Sequence, residues 1–108
     1  MMAMDVKVLP AVAKELKDEP QSLKESVLGA FDRLRQGEII PMPLCRPLFS
    51  VAKGLYELRF SYTAGEFRVF YYVKVGDAVY VIHATKKKTQ KLERRVVELL
   101  RKRIGSLS

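Results

Sequence analysis

Two arginines, Arg59 and Arg68, the chain's one histidine, His83, and the run Lys86-Lys87-Lys88 lie in a single stretch of sequence. Arginine presents a planar fork that grips phosphate through two hydrogen bonds. Lysine adds compact positive charge, and histidine has an ordinary pKa near neutrality. These types suit an anionic phosphate: fixed cations for developing charge and a group that can exchange a proton. Each also has a plain structural explanation. Arg59 can pair with Glu57 or Glu66 as a surface charge. His83 can pack mid-strand against Phe70, which is the stronger expectation for it.

Other reactive types point nowhere in particular. Cys45 sits between Pro43 and Pro47, with only Arg46 nearby to depress its pKa, so it reads as a small filler. Glu15, Asp18 and Glu19 read as a solvated helix end. The glycines are scattered singly, so there is no loop to cradle a phosphate. One cysteine and one histidine exclude an internal disulfide framework and a zinc ribbon, and no cofactor is expected.

At 108 residues, 48% apolar and 30% charged, the chain has the composition of one globular domain. The net charge of +8 is unevenly placed. Residues 1–83 hold 11 basic and 10 acidic side chains, and residues 84–108 hold 9 basic and 2 acidic. A basic quarter beginning at Lys86 suits a polyanion such as nucleic acid, although a solvated helix face would look the same. No apolar run is long enough to span a bilayer. The start, MMAMDVKVLP, lacks the pattern of a secretory signal, so a cytoplasmic, reduced protein is expected.

The elements that must position these side chains follow from periodicity. Met4 to Leu9 alternates and predicts a short edge strand, with Pro10 as a first helical residue. Ala11 to Asp18 predicts a short helix that Pro20 ends. Gln21 to Gln36 predicts a second, with Leu23, Val27, Ala30, Phe31 and Leu34 on one stripe and Gly37 as its stop. Three prolines make Ile40 to Phe49 an extended connector. A three-strand antiparallel meander follows, Leu55–Tyr62, Phe67–Lys74 and Ala78–Thr85, with short turns at Thr63-Ala64-Gly65-Glu66 and Val75-Gly76-Asp77-Ala78. The last element is a basic helix from about Thr89 to Ile104, with Leu92, Val96, Leu99, Leu100 and Ile104 on its apolar stripe. The order predicts an α+β domain.

Two-residue loops centred on Ala64-Gly65 and Gly76-Asp77 set the register by counting. Arg59 then faces Phe70, Ser61 faces Arg68, Phe70 faces His83, and Arg68 faces Thr85. One face of the meander carries Tyr56, Leu58, Phe60, Tyr62, Phe67, Val69, Tyr71, Val73, Tyr80 and Ile82, to be covered by the early helices. The other, expected to be open, carries Glu57, Arg59, Ser61, Arg68, Phe70, Tyr72, Val81, His83 and Thr85. There Arg59 and Arg68 are diagonal neighbours and Lys86 to Lys88 arrive beside Arg68. Such crowding of like charge is disfavoured unless an anion relieves it. Phe70 or Tyr72 could stack a base on that face.

Four pieces in order, Gly54-Leu55-Tyr56-Glu57-Leu58-Arg59, Phe67-Arg68-Val69-Phe70-Tyr71, Val81-Ile82-His83-Ala84 and Lys87-Lys88-Thr89-Gln90-Lys91, resemble a run found in phage-derived HigB-like toxins of the RelE/ParE superfamily. The resemblance covers about residues 40 to 104. It implies a RelE/ParE-like fold and the toxin of a toxin–antitoxin module. Such a toxin cleaves mRNA on the ribosome and is silenced by a cognate antitoxin, here expected to be a helix-turn-helix protein. It carries over Arg59, Arg68, Lys87 and Lys88. The chain departs from the pattern at Thr85, where relatives often have an aromatic residue. Its tail, Arg103 to Ser108, also lacks the Tyr or His that some relatives place there.

Metal-free RNA cleavage needs a base for the 2′-hydroxyl, charge stabilisation at phosphorus and an acid for the leaving 5′-oxygen. Arg59 and Arg68 suit the second task. Lys87, crowded by Lys86, Lys88 and Arg68, is a candidate base or acid, because nearby cations and burial favour the neutral amine. His83 is the other proton-exchange candidate. Lys86, Lys88, Lys91 and Arg94 would hold the RNA backbone. A ParE-like inhibitor of DNA gyrase, or a binding module without catalysis, would share the fold.

Overall fold

The computed structural model describes residues 4–74, 76, 78–87 and 91–107. Among these residues, three helices and five strands follow the order β1 (Val6–Val8), α1 (Pro10–Leu16), α2 (Gln21–Arg35), β2 (Cys45–Pro47), β3 (Leu55–Tyr62), β4 (Gly65–Val73), β5 (Val79–Lys86) and α3 (Arg94–Gly105). The strands form one mixed sheet in the order β1-β5-β4-β3-β2. Only β1 runs parallel to its neighbour, β5. The α+β expectation holds, with an N-terminal strand, two consecutive helices, the meander and a basic last helix, which begins at Arg94 and not near residue 89 as its pattern suggested.

Local chemistry explains the ends. Pro10 opens α1, where its missing N–H costs nothing. Gly37, at φ 80°, ends α2: its N–H donates to the Leu34 carbonyl and the Glu38 N–H to that of Arg33, satisfying two carbonyls of the last turn. The stripe of α2 is buried as its spacing requires. The proline-rich connector contains a strand that alternation could not reveal, because three residues are too few to alternate. This strand, β2, pairs antiparallel with β3, Arg46 opposite Glu57.

The first hairpin corrects the counted register. Its loop is Thr63-Ala64, with Tyr62 opposite Gly65, so Arg59 lies directly opposite Arg68 rather than Phe70. Gly65, at φ 124°, takes the unusual backbone conformation at the mouth of the loop and lets Glu66 pair with Ser61. The shift is two residues, so every side chain keeps its face. In the second hairpin Arg68 faces Thr85 and Phe70 faces His83, as counted. Beyond them a bulge intervenes, and Tyr71 faces Val81. The extra residue reverses the predicted faces of the early part of β5. Tyr80 and Ile82 pack away from α1 and α2, and Val79 and Val81 pack toward them.

Both sheet faces are covered. Val12, Val27, Phe31 and Leu34 of α1 and α2 pack on Leu58, Phe67, Val69 and Val81. On the other face Leu100 of α3, with Leu92, Val96 and Ile104, packs on Leu55, Phe70 and Ile82. The second face is therefore not open as expected. Phe70 is fully buried and Tyr72 half-buried, so neither is a free platform for a base. The apolar stripe of α3 needed a sheet face to cover it, and Phe70 supplies that face.

Candidate active site

Beside the start of α3, the second face carries the charges. Arg59 on β3 and Arg68 on β4, being directly opposed, point to the same side. Like charges facing each other across a ladder are unfavourable. Two carboxylates resolve the conflict. Glu57, two residues before Arg59, is fully buried, and its Oε2 accepts a hydrogen bond from Arg68 Nη1 at 2.8 Å. Its Oε1 lies 3.4 Å from Arg46 Nη2 and 3.9 Å from Arg59 Nε. Glu66 is the outer partner, 3.6 Å from Arg59 Nη2, 3.9 Å from Arg68 Nε and 3.2 Å from Lys87 Nζ. The Lys87 hydrogen bond is the main reason that the Glu66 carboxyl lies below its ordinary pKa.

The backbone builds the same cluster. The Lys87 N–H donates to the Glu66 carbonyl at 2.8 Å, tying the end of β5 to the start of β4. A lysine clamped at both ends to one glutamate suits charge stabilisation or proton donation better than proton abstraction. Next to it a cleft is lined by Arg68, Lys86, Lys87, Lys91 and Val96, where α3 meets the sheet. Arg68 is 3% exposed, and its Nε and Nη2 have no hydrogen-bond acceptor. Arg94, at the start of α3, is 94% exposed in its side chain and pairs with Glu98. Lys88 lies outside the described residues.

His83 belongs to a different arrangement. Its ring stacks on Phe70, centroids 5.7 Å apart, and its Nδ1 is 2.9 Å from Glu15 Oε2. Arg103 Nη1 approaches the same Glu15 oxygen at 3.1 Å and donates to the Ile82 carbonyl at 2.7 Å. The Ala84 N–H donates to Glu15 Oε1. β1 pairs with β5 only as far as Val81. Beyond it, side chains of α1 and α3 satisfy the edge of β5 in place of a strand. Burial raises the Glu15 carboxyl, but the His83 bond and charge, the Ala84 amide and Arg103 together carry it below its ordinary value. Glu15 is thus not the solvated helix end expected of it.

Arg59, Arg68 and Lys87 are therefore brought together, with Lys86 and Lys91 at the rim, and His83 is held in the clasp. Sequence reasoning missed Arg46 and the central place of Glu57. The one available signal was that Glu57 alternates onto the arginine face; Arg46 gave none, because β2 was unseen. Cys45 is buried with its Sγ 3.3 Å from the Tyr71 hydroxyl, and burial pushes the thiol pKa up, as befits an inert filler.

A family model described as "Phage derived protein Gp49-like (DUF891)" matches residues 14–105. No curated protein matches the chain. Among solved structures, a double arginine-to-alanine mutant of the E. coli toxin RelE in the free state superimposes with a TM-score of 0.56 at 14% sequence identity. That match covers 99% of this chain and 100% of the other, so the two share a fold.

Proposed function

The chain belongs to the Gp49-like family of phage-derived proteins, and on that premise we propose that it is the HigB-like toxin of a type II toxin–antitoxin module. It acts in the cytoplasm as an endoribonuclease on mRNA in translating ribosomes. The observation that carries this is the cluster in which Arg59, Arg68 and Lys87 meet on one side of the sheet, beside a cleft lined by Arg68, whose Nε and Nη2 lack a hydrogen-bond acceptor. In this proposal the 2′-oxygen gives up its proton to solvent and bonds to the adjacent phosphorus. Arg59 and Arg68 hold the charge that gathers on the phosphorane oxygens. The bond from phosphorus to the 5′-oxygen then breaks, and the Lys87 ammonium protonates that oxygen. The products are a 2′,3′-cyclic phosphate and a 5′-hydroxyl. Lys86, Lys88, Lys91 and Arg94 steer the RNA backbone. His83 acts as a structural clasp. An acidic antitoxin, a helix-turn-helix protein by the family resemblance, silences the toxin by covering the basic surface.

The test is to incubate the purified protein with translating ribosomes and map the RNA ends. Cyclic-phosphate ends are expected, and 3′-hydroxyl ends or intact messages would overturn the proposal. Arg59→Ala and Lys87→Met should each slow cleavage by about 100-fold, the loss typical of removing one charge-stabilising donor. DNA damage in expressing cells, with messages uncut, would point to gyrase instead.

A further inference from the structure

We propose that Glu57 is the positioning residue of the cation cluster, with Glu66 as its outer counterpart. Together they aim the arginine donors and leave the cluster with surplus positive charge for a dianionic phosphorane. The inference rests on the nuclease reading and deepens it.

Arg46, Arg59 and Arg68 come from three adjacent strands, β2, β3 and β4, and reach the single carboxylate of Glu57. A fully buried carboxylate is costly unless it is paired, so its presence here needs a reason. Glu57 makes one hydrogen bond within normal range, to Arg68 Nη1, and its second oxygen has none. The guanidiniums are likewise incompletely used. Arg46 Nε, Arg59 Nε, Arg68 Nε and Arg68 Nη2 are all buried without an acceptor. Buried polar groups are ordinarily hydrogen-bonded, and four guanidinium N–H groups without an acceptor, two of them 3.9 Å from a carboxylate oxygen, describe a cluster with bonding capacity left for an anion.

The excess of positive charge favours the more highly charged phosphate species. Four cations, Arg46, Arg59, Arg68 and Lys87, share two carboxylates, Glu57 and Glu66. Among these six groups two positive charges are left over, and Lys86 and Lys91 add more at the rim of the cleft. An RNA phosphodiester carries one negative charge. After the 2′-oxygen has lost its proton and bonded to phosphorus, with the 5′-oxygen not yet protonated, the phosphorane carries two. Binding that is stronger for the transition state than for the substrate is what accelerates a reaction.

Charge and position predict opposite results when Glu57 is neutralised. By charge alone, Glu57→Gln makes the site more positive, so it holds every phosphate species at least as tightly. If Glu57 positions the arginines, the variant binds RNA as well as wild type but cleaves it more slowly, because the donors no longer converge. The experiment measures single-turnover cleavage on ribosomes. It also measures affinity for an uncleavable message carrying a 2′-deoxynucleotide at the mapped cut position. Glu57→Gln is expected to cut about 10- to 100-fold more slowly with affinity unchanged or tighter. A folded Glu57→Gln that cuts at the wild-type rate or faster, or that loses rate and affinity together, overturns the inference. Should that variant not fold, Glu66→Gln decides on the same criteria, since Glu66 is a third exposed in its side chain. Wild-type protein that leaves messages intact would instead remove the nuclease reading and this inference with it.

Discussion

At the scale of single residues, the site is held by carboxylates rather than by open space. Arg68 is buried against Glu57, so its removal leaves a buried charge without its best partner. Arg68→Ala should cost about 3–5 kcal/mol in urea denaturation, and its loss of activity would then confound folding with chemistry. Arg59, whose side chain is 28% exposed, is the cleaner probe of the proposed catalysis. Glu15 gives a pH prediction. Its carboxyl lies below its ordinary 4.5 in the folded chain, so its contribution is present above that value and lost as pH falls through the folded value. Glu15→Gln should lower stability at neutral pH by about 1–3 kcal/mol, since Arg103 and the Ala84 amide lose a charged acceptor. The variant should also lose less than wild type between neutral pH and pH 3, read from urea midpoints. An equal loss in both proteins would assign the acid sensitivity elsewhere.

At the scale of elements, the bulge in β5 and the entry to β3 decide which side chains can meet. The bulge keeps His83 stacked on Phe70 while Val81 turns to the helical layer. At the entry to β3, Gly54 has φ 92°, and a Cβ there would sit 2.9 Å from the Val73 carbonyl oxygen. The Val73 N–H donates to the Gly54 carbonyl, so this contact closes the β3–β4 ladder at the end away from its loop. Gly54→Ala should therefore destabilise by more than about 1 kcal/mol, through strain rather than lost burial. The docking of α3 rests on Leu100, which is fully buried. Leu100→Ala should cost about 2–5 kcal/mol. By hydrogen exchange, α3 should lose protection before the meander does, because its other apolar contacts are only half-buried.

At the scale of the whole molecule, charge is segregated: residues 1–83 are nearly neutral and residues 84–108 hold most of the +8. The proposed binding to RNA should weaken steeply and linearly in log–log form as salt rises. Charge-removing changes at Lys91 and Arg94 should reduce that slope by about one each, and a slope unchanged by both would exclude these residues from the RNA path. Among the described residues no helix is long and apolar enough to cross a membrane. The sequence by itself determined the two early helices, the meander, the basic last helix and the shared face of Arg59 and Arg68. All of these are carried by local periodicity, and a two-residue slip in register preserves face. It could not determine β2, too short to show a pattern, or the bulge that reverses the faces of early β5. Nor could it determine the burial of Phe70, because that depends on where α3 lands. The meeting of Glu57 with three arginines, and of Glu15 with His83 and Arg103, was decided only in three dimensions. Arg59 was a partner the sequence could offer Glu57, but Arg46, Arg68, His83 and Arg103 reach their carboxylates from other elements, and only packing selects among the many pairings that charge alone would allow.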